Sequence, residues 1–233
     1  MMKGHLPATA LKRVPEARGA DAVLSVVPYY NKPTQAGMYA HFRAIAEATG
    51  LPIILYDVPA RTACGLADQT VVRLAEMPQF IGLKDAAGDV MRAARLRPLV
   101  GPEFRLLSGD DVTAPAYIAQ GGNGCISVTS NIAPNLCRSM YLAFRQGHVA
   151  KAQRLGIPIA QLSYALLRES NPVPLKYALS LLGLMSPKVR LPLTELADQA
   201  KAEVTAVLSK LCDEYAGYMI GTMCETEVSC AAE

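Results

Sequence analysis

The chain has no block of Lys and Arg, and only 18% of its 233 residues are charged, for a formal net charge of +3. A basic face for a phosphate backbone is therefore not expected, and a nucleic-acid partner is set aside. No apolar run reaches the ~18 residues that a membrane span needs, so no membrane partner is expected either. The opening MMKGHLPATALKRVPEARG lacks an apolar signal core, and a cytoplasmic location is the expectation. Six cysteines (Cys64, Cys125, Cys137, Cys212, Cys224, Cys230) include no CxxC pair and no metal-type spacing with histidine. Cys64, Cys125 and Cys137 lie in or beside apolar segments, where a reduced buried thiol is the ordinary state. The three histidines, His5, His41 and His148, stand apart, so no metal ligand is assigned. The first turn carries neither GxGxxG nor GxxxxGK[ST], which argues against a nucleotide site.

What the chain does have is 51% hydrophobic residues, ample for a sizeable core, and a regular alternation of elements. Short apolar runs, AVLSVV (22–27), IILYDV (53–58), FIGLK (80–84), FRLLS (104–108) and CISVT (125–129), read as strands. Between and after them the spacing predicts helices over residues 34–49, 68–77, 90–99, 112–120 and 134–145. Thr34 is the expected N-cap of the first and Gly50 its stop. Each strand is apolar on both faces, as parallel strands covered by helices are. Such a βα series is either a doubly wound sheet or a (β/α)8 barrel. The barrel is preferred because Tyr29, Tyr30, Tyr56, Arg61, Lys84 and the segment 109–111 all gather at carboxyl ends of strands. Residues 1–147 are thus expected to be a partial barrel, 148–220 a helical region, and 221–233 a frayed tail.

FIGLKDAAG sets the chemical question, because an apolar strand ends there on the ammonium of Lys84. The ordinary reading is a lysine snorkelling to solvent. The alternative is a lysine with a lowered pKa, whose free amine attacks a carbonyl. Three companions favour the second reading. Tyr56, one strand earlier, would serve as a proton relay or donor rather than a resting base, since a phenol titrates near pH ~10. Arg61, beyond a proline-set turn, offers a planar fork to a carboxylate. The glycines at Gly109 and in GGNGCISVTSN (121–131) allow main-chain groups to approach a small ligand. Each of these has a plain structural explanation taken singly; their order on successive strands is what weighs against it.

The motifs VVPYYNKPTQAGMYAHFRAIAE, LYDVPARTACG, FIGLKDAAGD, LLSGDD, GGNGCISVTSN and NPVPLKYAL, in this order, closely resemble the dihydrodipicolinate synthase family. These are class I aldolase-type lyases related to N-acetylneuraminate lyase, and the resemblance runs from about residue 19 to 215. It implies that Lys84 forms the Schiff base with pyruvate, so no cofactor is needed, and that Tyr56 donates and accepts protons beside it. It implies that Tyr30 is a relay tyrosine inserted into a neighbouring subunit's site within a homo-oligomer. Arg61 would receive the carboxylate of L-aspartate-4-semialdehyde, Gly109 and Ile126 would line the pyruvate site, and Tyr29 would lie near a lysine-feedback interface. The product expected is 4-hydroxy-tetrahydrodipicolinate, on the way to lysine and diaminopimelate. Another pyruvate-dependent aldolase of the same family and a non-catalytic assembly subunit are the alternatives. The family barrel begins with three further βα units, which include a threonine-bearing segment that grips the pyruvate carboxylate. This chain has no counterpart of them, so the expectation is slow turnover by the chain alone, open strand edges at residues 23–27 and 125–129 and a tendency to associate, including with an intact paralogue.

Overall fold

The computed structural model describes residues 19–220. The amino-terminal stretch 1–18 and the tail 221–233 lie outside the described residues, and with them the expectations placed there. The chain divides into two compact units between Ile126 and Ser127.

The first unit runs β1 (Val23–Val26), α1 (Gln35–Ala48), β2 (Ile53–Asp57), α2 (Pro59–Thr62), α3 (Asp68–Ala75), β3 (Phe80–Asp85), α4 (Arg92–Leu96), β4 (Arg105–Ser108), α5 (Ala114–Ala119) and β5 (Gly124–Cys125). The five strands form one parallel sheet in the order β1-β2-β3-β4-β5. A doubly wound sheet reverses its strand order at a switch point, whereas strictly sequential parallel order is that of a barrel. The fold is therefore of the (β/α)8 type, incomplete among the described residues, where it has five strands.

One face of this sheet is covered. Ile53, Leu55, Leu83 and Leu106 are fully buried there against Met38 and Phe42 of α1, Leu74 of α3 and Leu96 of α4. Burial at that level is worth roughly 1.5–3 kcal/mol for each such side chain, which is why the helices dock on this side. On β1 the opposite face is open, with Leu24 46% and Val26 39% exposed. Alternation along the strand thus holds even though the residues are apolar throughout.

Local chemistry sets the helix ends. Thr34 Oγ1 accepts from Gly37 N at 3.2 Å and starts α1, as the sequence predicts. The helix expected over 90–99 contracts to α4, because the Asp89 carboxylate accepts from Met91 N and its carbonyl from Arg92 N, making a turn first. Likewise the Asp110 carboxylate takes Val112 N and Thr113 N, so α5 begins at Ala114 rather than at residue 112.

CISVT departs from expectation. Only Gly124–Cys125 is strand, and Thr129–Asn131 winds into a 3-10 turn. Ser127 Oγ accepts from Ser130 N at 2.8 Å, and the Thr129 carbonyl accepts from both Ile132 N and Ala133 N. Local hydroxyl and carbonyl bonds therefore outcompete the β-branched preference for extension.

The second unit is helical: α6 (Pro134–Arg145), α7 (Val149–Leu166), α8 (Val173–Leu181), α9 (Asp198–Tyr215) and a final 3-10 turn, Ala216–Tyr218. Leu136 and Met140 of α6, Ile159 and Leu162 of α7, and Val204 and Leu208 of α9 form the centre of its core. The helix at 134–145, which the sequence grouped with the barrel, belongs by packing to this unit.

Gly82 gives the sheet a testable weak point. A Cβ there would lie 2.6 Å from the Arg105 carbonyl oxygen on the neighbouring strand. Gly82→Ala is expected to destabilise the chain by about 1–3 kcal/mol, as overpacking against backbone does. Urea unfolding checks this, through a lower midpoint at an unchanged slope.

Candidate active site

Residue alternation puts Tyr56 and Lys84 on the face of the sheet opposite the helix-covered core. Their pairing depends on an irregularity. Ile53 pairs with Phe80, but Ile54 pairs with Gly82, so Ile81 is passed over. Without that shift Tyr56 would oppose Leu83; with it, Tyr56 opposes Lys84. Bulges commonly re-aim a side chain beside a reactive site.

The Lys84 ammonium nitrogen lies over the Tyr56 ring, 4.3 Å from its centroid. Both side chains are half-buried. Burial pushes the Lys84 pKa below its ordinary 10.5, while the Cys125 sulfur and the Asp111 carboxylate pull it the other way. Burial raises the Tyr56 phenol above its ordinary 10.0, and the Arg61 charge opposes that rise. The lysine is thereby biased toward the free amine and the tyrosine toward the protonated phenol, which are a nucleophile and a proton donor side by side.

Gly109 and Ile126 reach the same face. Gly109 N donates to the Asp85 carbonyl at 2.7 Å and Ile126 N to the Ser108 carbonyl at 2.9 Å, continuing the ladders past the strand ends. A Cβ on Gly109 would stand 2.8 Å from Ala86 Cβ and 3.3 Å from Lys84 Cε, so only glycine leaves the lysine its place. The glycines at 121 and 122 instead back onto Arg97 and Tyr117, which gives them a packing role. Arg61 is an exposed residue of α2, whose first residue, Pro59, fixes the turn after β2. Tyr30 is 92% exposed, with φ +65° in the left-handed region. It sits on the loop leaving β1. Tyr29 precedes it, and its carbonyl accepts from Asn31 N.

A model of the dihydrodipicolinate synthetase family matches residues 7–211. The chain belongs to that family. It is 49% identical over 198 residues to the 4-hydroxy-tetrahydrodipicolinate synthase of Laribacter hongkongensis, covering 85% of this chain and 68% of that one. It is 46% identical over 203 residues to that of Rhodospirillum centenum, covering 87% and 70%. Among solved structures, the 4-hydroxy-tetrahydrodipicolinate synthase of Methylacidiphilum fumariolicum superposes with a TM-score of 0.85 at 37% identity, covering 90% of this chain and 70% of that one. The chloride-inhibited dihydrodipicolinate synthase of Acinetobacter baumannii, complexed with pyruvate, gives a TM-score of 0.81 at 44% identity over 90% and 70%. The chain spans about two thirds of the length of these relatives.

In this member of the dihydrodipicolinate synthetase family, charged residues missed in the sequence lie directly behind the site. Asp57 and Asp85, each one residue past Tyr56 and Lys84, point to the covered face and meet Arg92 there. Asp111, in the strand-end segment 109–111 that the sequence did single out, is buried and acts on Lys84 through charge. For Asp57 and Asp85 the sequence signal was an acid following Tyr56 and Lys84, in LYD and LKD. Among the described residues no helix is long and apolar enough to cross a membrane.

The lowered Lys84 pKa has a measurable consequence. Competitive amine labelling, read by peptide mass spectrometry, should give Lys84 a titration midpoint below the ordinary lysine value of 10.5. The sign for stability follows. Below the folded pKa both states are protonated and the burial cost is complete. It disappears as pH rises from the folded value through the unfolded 10.5, so this lysine's contribution to stability improves over that window.

Proposed function

We propose that the chain is a Schiff-base-forming lyase that condenses pyruvate with L-aspartate-4-semialdehyde to 4-hydroxy-tetrahydrodipicolinate, in lysine and diaminopimelate biosynthesis. The observation that carries the reading is the half-buried Lys84 amine set over the Tyr56 ring. The free amine adds to the keto carbon of pyruvate, and the oxygen leaves as water with a proton delivered by Tyr56. Loss of a methyl proton to the Tyr56 phenolate gives the enamine, whose carbon adds to the aldehyde while a proton returns to the new alkoxide. Attack of the semialdehyde's own amine on the imine carbon then closes the ring and releases the Lys84 amine. The chemistry is supplied by the lysine itself and calls for no cofactor. Gly109 and Ile126 would border the pyruvate. Arg61, whose charge reaches Tyr56, would take the carboxylate of the incoming semialdehyde. The solvent exposure of Tyr30 fits a residue lent to a neighbouring subunit of a homo-oligomer, with Tyr29 at that interface. A cytoplasmic location suits a biosynthetic role on these metabolites.

The test is substrate choice. The chain is incubated with pyruvate plus L-aspartate-4-semialdehyde and, separately, with N-acetylneuraminate. Expected is semialdehyde consumption that requires pyruvate, with Arg61→Leu raising KM for the aldehyde. Faster cleavage of N-acetylneuraminate than condensation would overturn the assignment of the acceptor.

A further inference from the structure

We infer that Arg92 is a positioning residue that clamps the carboxyl ends of β2 and β3 so that Lys84 stays opposed to Tyr56. The register pairs Tyr56 with Lys84 and, one step on, Asp57 with Asp85. These two carboxylates therefore lie side by side on the covered face, 1% and 5% exposed, where like charges repel. One guanidinium nitrogen of Arg92, itself 3% exposed, bridges them, with Nη1 2.8 Å from Asp57 Oδ2 and 3.3 Å from Asp85 Oδ1. Nε reaches Asp68 Oδ1 at the start of α3 at 2.9 Å, and Nη2 donates to the Leu66 carbonyl. Tyr117 of α5 donates its hydroxyl to Asp85 Oδ2 at 3.3 Å. A single side chain on α4 thus ties two strands, a loop and a second helix, and it does so directly behind the reactive pair. The flat fork is what makes this possible, since a lysine could not reach these four acceptors in their several directions.

A buried ion cluster is weak evidence for stability as such, because desolvation offsets much of the attraction. Its use here is register. The bulge at Ile81 gives β2 and β3 an alternative alignment one residue away, and in that alignment Asp57 and Asp85 would no longer share a partner. A displacement of about 1 Å between reacting groups costs on the order of 10²-fold in rate. The groups whose charge bears on Lys84 are Asp111 after β4 and Cys125 on β5, with the Tyr56 ring on β2.

The proposal rests on Lys84 as the imine-forming amine, and the test separates the two. Arg92→Lys keeps the charge and loses the fork. Asp57→Asn keeps the shape and loses one anion. Folding is checked by circular dichroism and a cooperative urea transition. Competitive labelling gives the pH profile of Lys84 without requiring pyruvate chemistry, and borohydride trapping with pyruvate gives the rate of imine formation. In Arg92→Lys the labelling midpoint is expected to rise toward that of an exposed lysine, because a loosened pair admits water. Trapping should slow by about 10- to 100-fold at saturating pyruvate, with the half-saturating concentration little changed. In Asp57→Asn, removal of a negative charge would by itself lower the Lys84 midpoint, so an upward shift reports looser burial. A folded Arg92→Lys chain with the wild-type Lys84 profile would overturn the clamp. So would a downward shift in Asp57→Asn, or loss of fold in both variants, which would assign the cluster to stability alone. Absence of trapping in the wild-type chain, with the profile shifts intact, would count against the imine reading and leave the clamp standing.

Discussion

Lys84→Arg is expected to abolish pyruvate-dependent chemistry while leaving the chain folded. Arginine keeps the positive charge and much of the stem, so it satisfies every structural explanation of a cation at the end of β3. It cannot satisfy the chemical one, because a guanidinium remains protonated throughout the accessible pH range and does not form the imine. The half-buried setting that lowers the lysine's pKa has no comparable effect on a group that starts two decades higher. Product formation and borohydride adduct should both fall to the level of a protein-free control. Retention of either at more than a few per cent of the wild-type rate would place the nucleophile elsewhere.

Tyr56→Phe should be the second-largest effect, about 10²–10⁴-fold on the rate of imine formation, the usual worth of a positioned acid–base group. The ring is retained, so the contact with Lys84 at 4.3 Å to the centroid survives and the amine keeps its burial. The labelling profile of Lys84 should therefore stay near that of the wild type while trapping slows. That combination separates proton transfer from packing. The cause lies in the phenol itself, which burial holds above its ordinary pKa and therefore protonated at neutral pH, ready to donate to a departing hydroxyl. A phenylalanine variant that traps pyruvate at the wild-type rate would make Tyr56 a wall of the site and nothing more.

The strands and the nearness of Tyr56 to Lys84 were legible in the sequence for one physical reason. Parallel strands covered by helices are apolar throughout, so Tyr56 and Lys84 stand out as polar interruptions at matching ends of neighbouring runs. The capping hydroxyl of Thr34 was equally legible, because its effect is local. The bulge at Ile81, which sets Tyr56 opposite Lys84, was not read from the sequence, although the isolated Gly82 inside an apolar strand run is the kind of residue that marks one. Nor was the Arg92 clamp. Its two acceptors on the strands lie 35 and 7 residues away in the chain, and Asp57 and Asp85 looked like ordinary strand-end acids. CISVT misled because its composition favours a strand, while the hydrogen bonds of Ser127 and Thr129 bend it. The family resemblance implied open strand edges at residues 23–27 and 125–129; that one face of β1 exposes Leu24 and Val26 came from the structure.

The central claim is that Lys84 is the amine that forms the pyruvate imine. Its most direct test is to treat the wild-type chain with pyruvate and borohydride, digest it, and locate the reduced adduct by tandem mass spectrometry. The account predicts one modified residue, Lys84, with labelling that requires pyruvate and rises with pH as the amine is freed. An adduct centred on Lys32, Lys176 or any other lysine, with Lys84 unmodified, would contradict it.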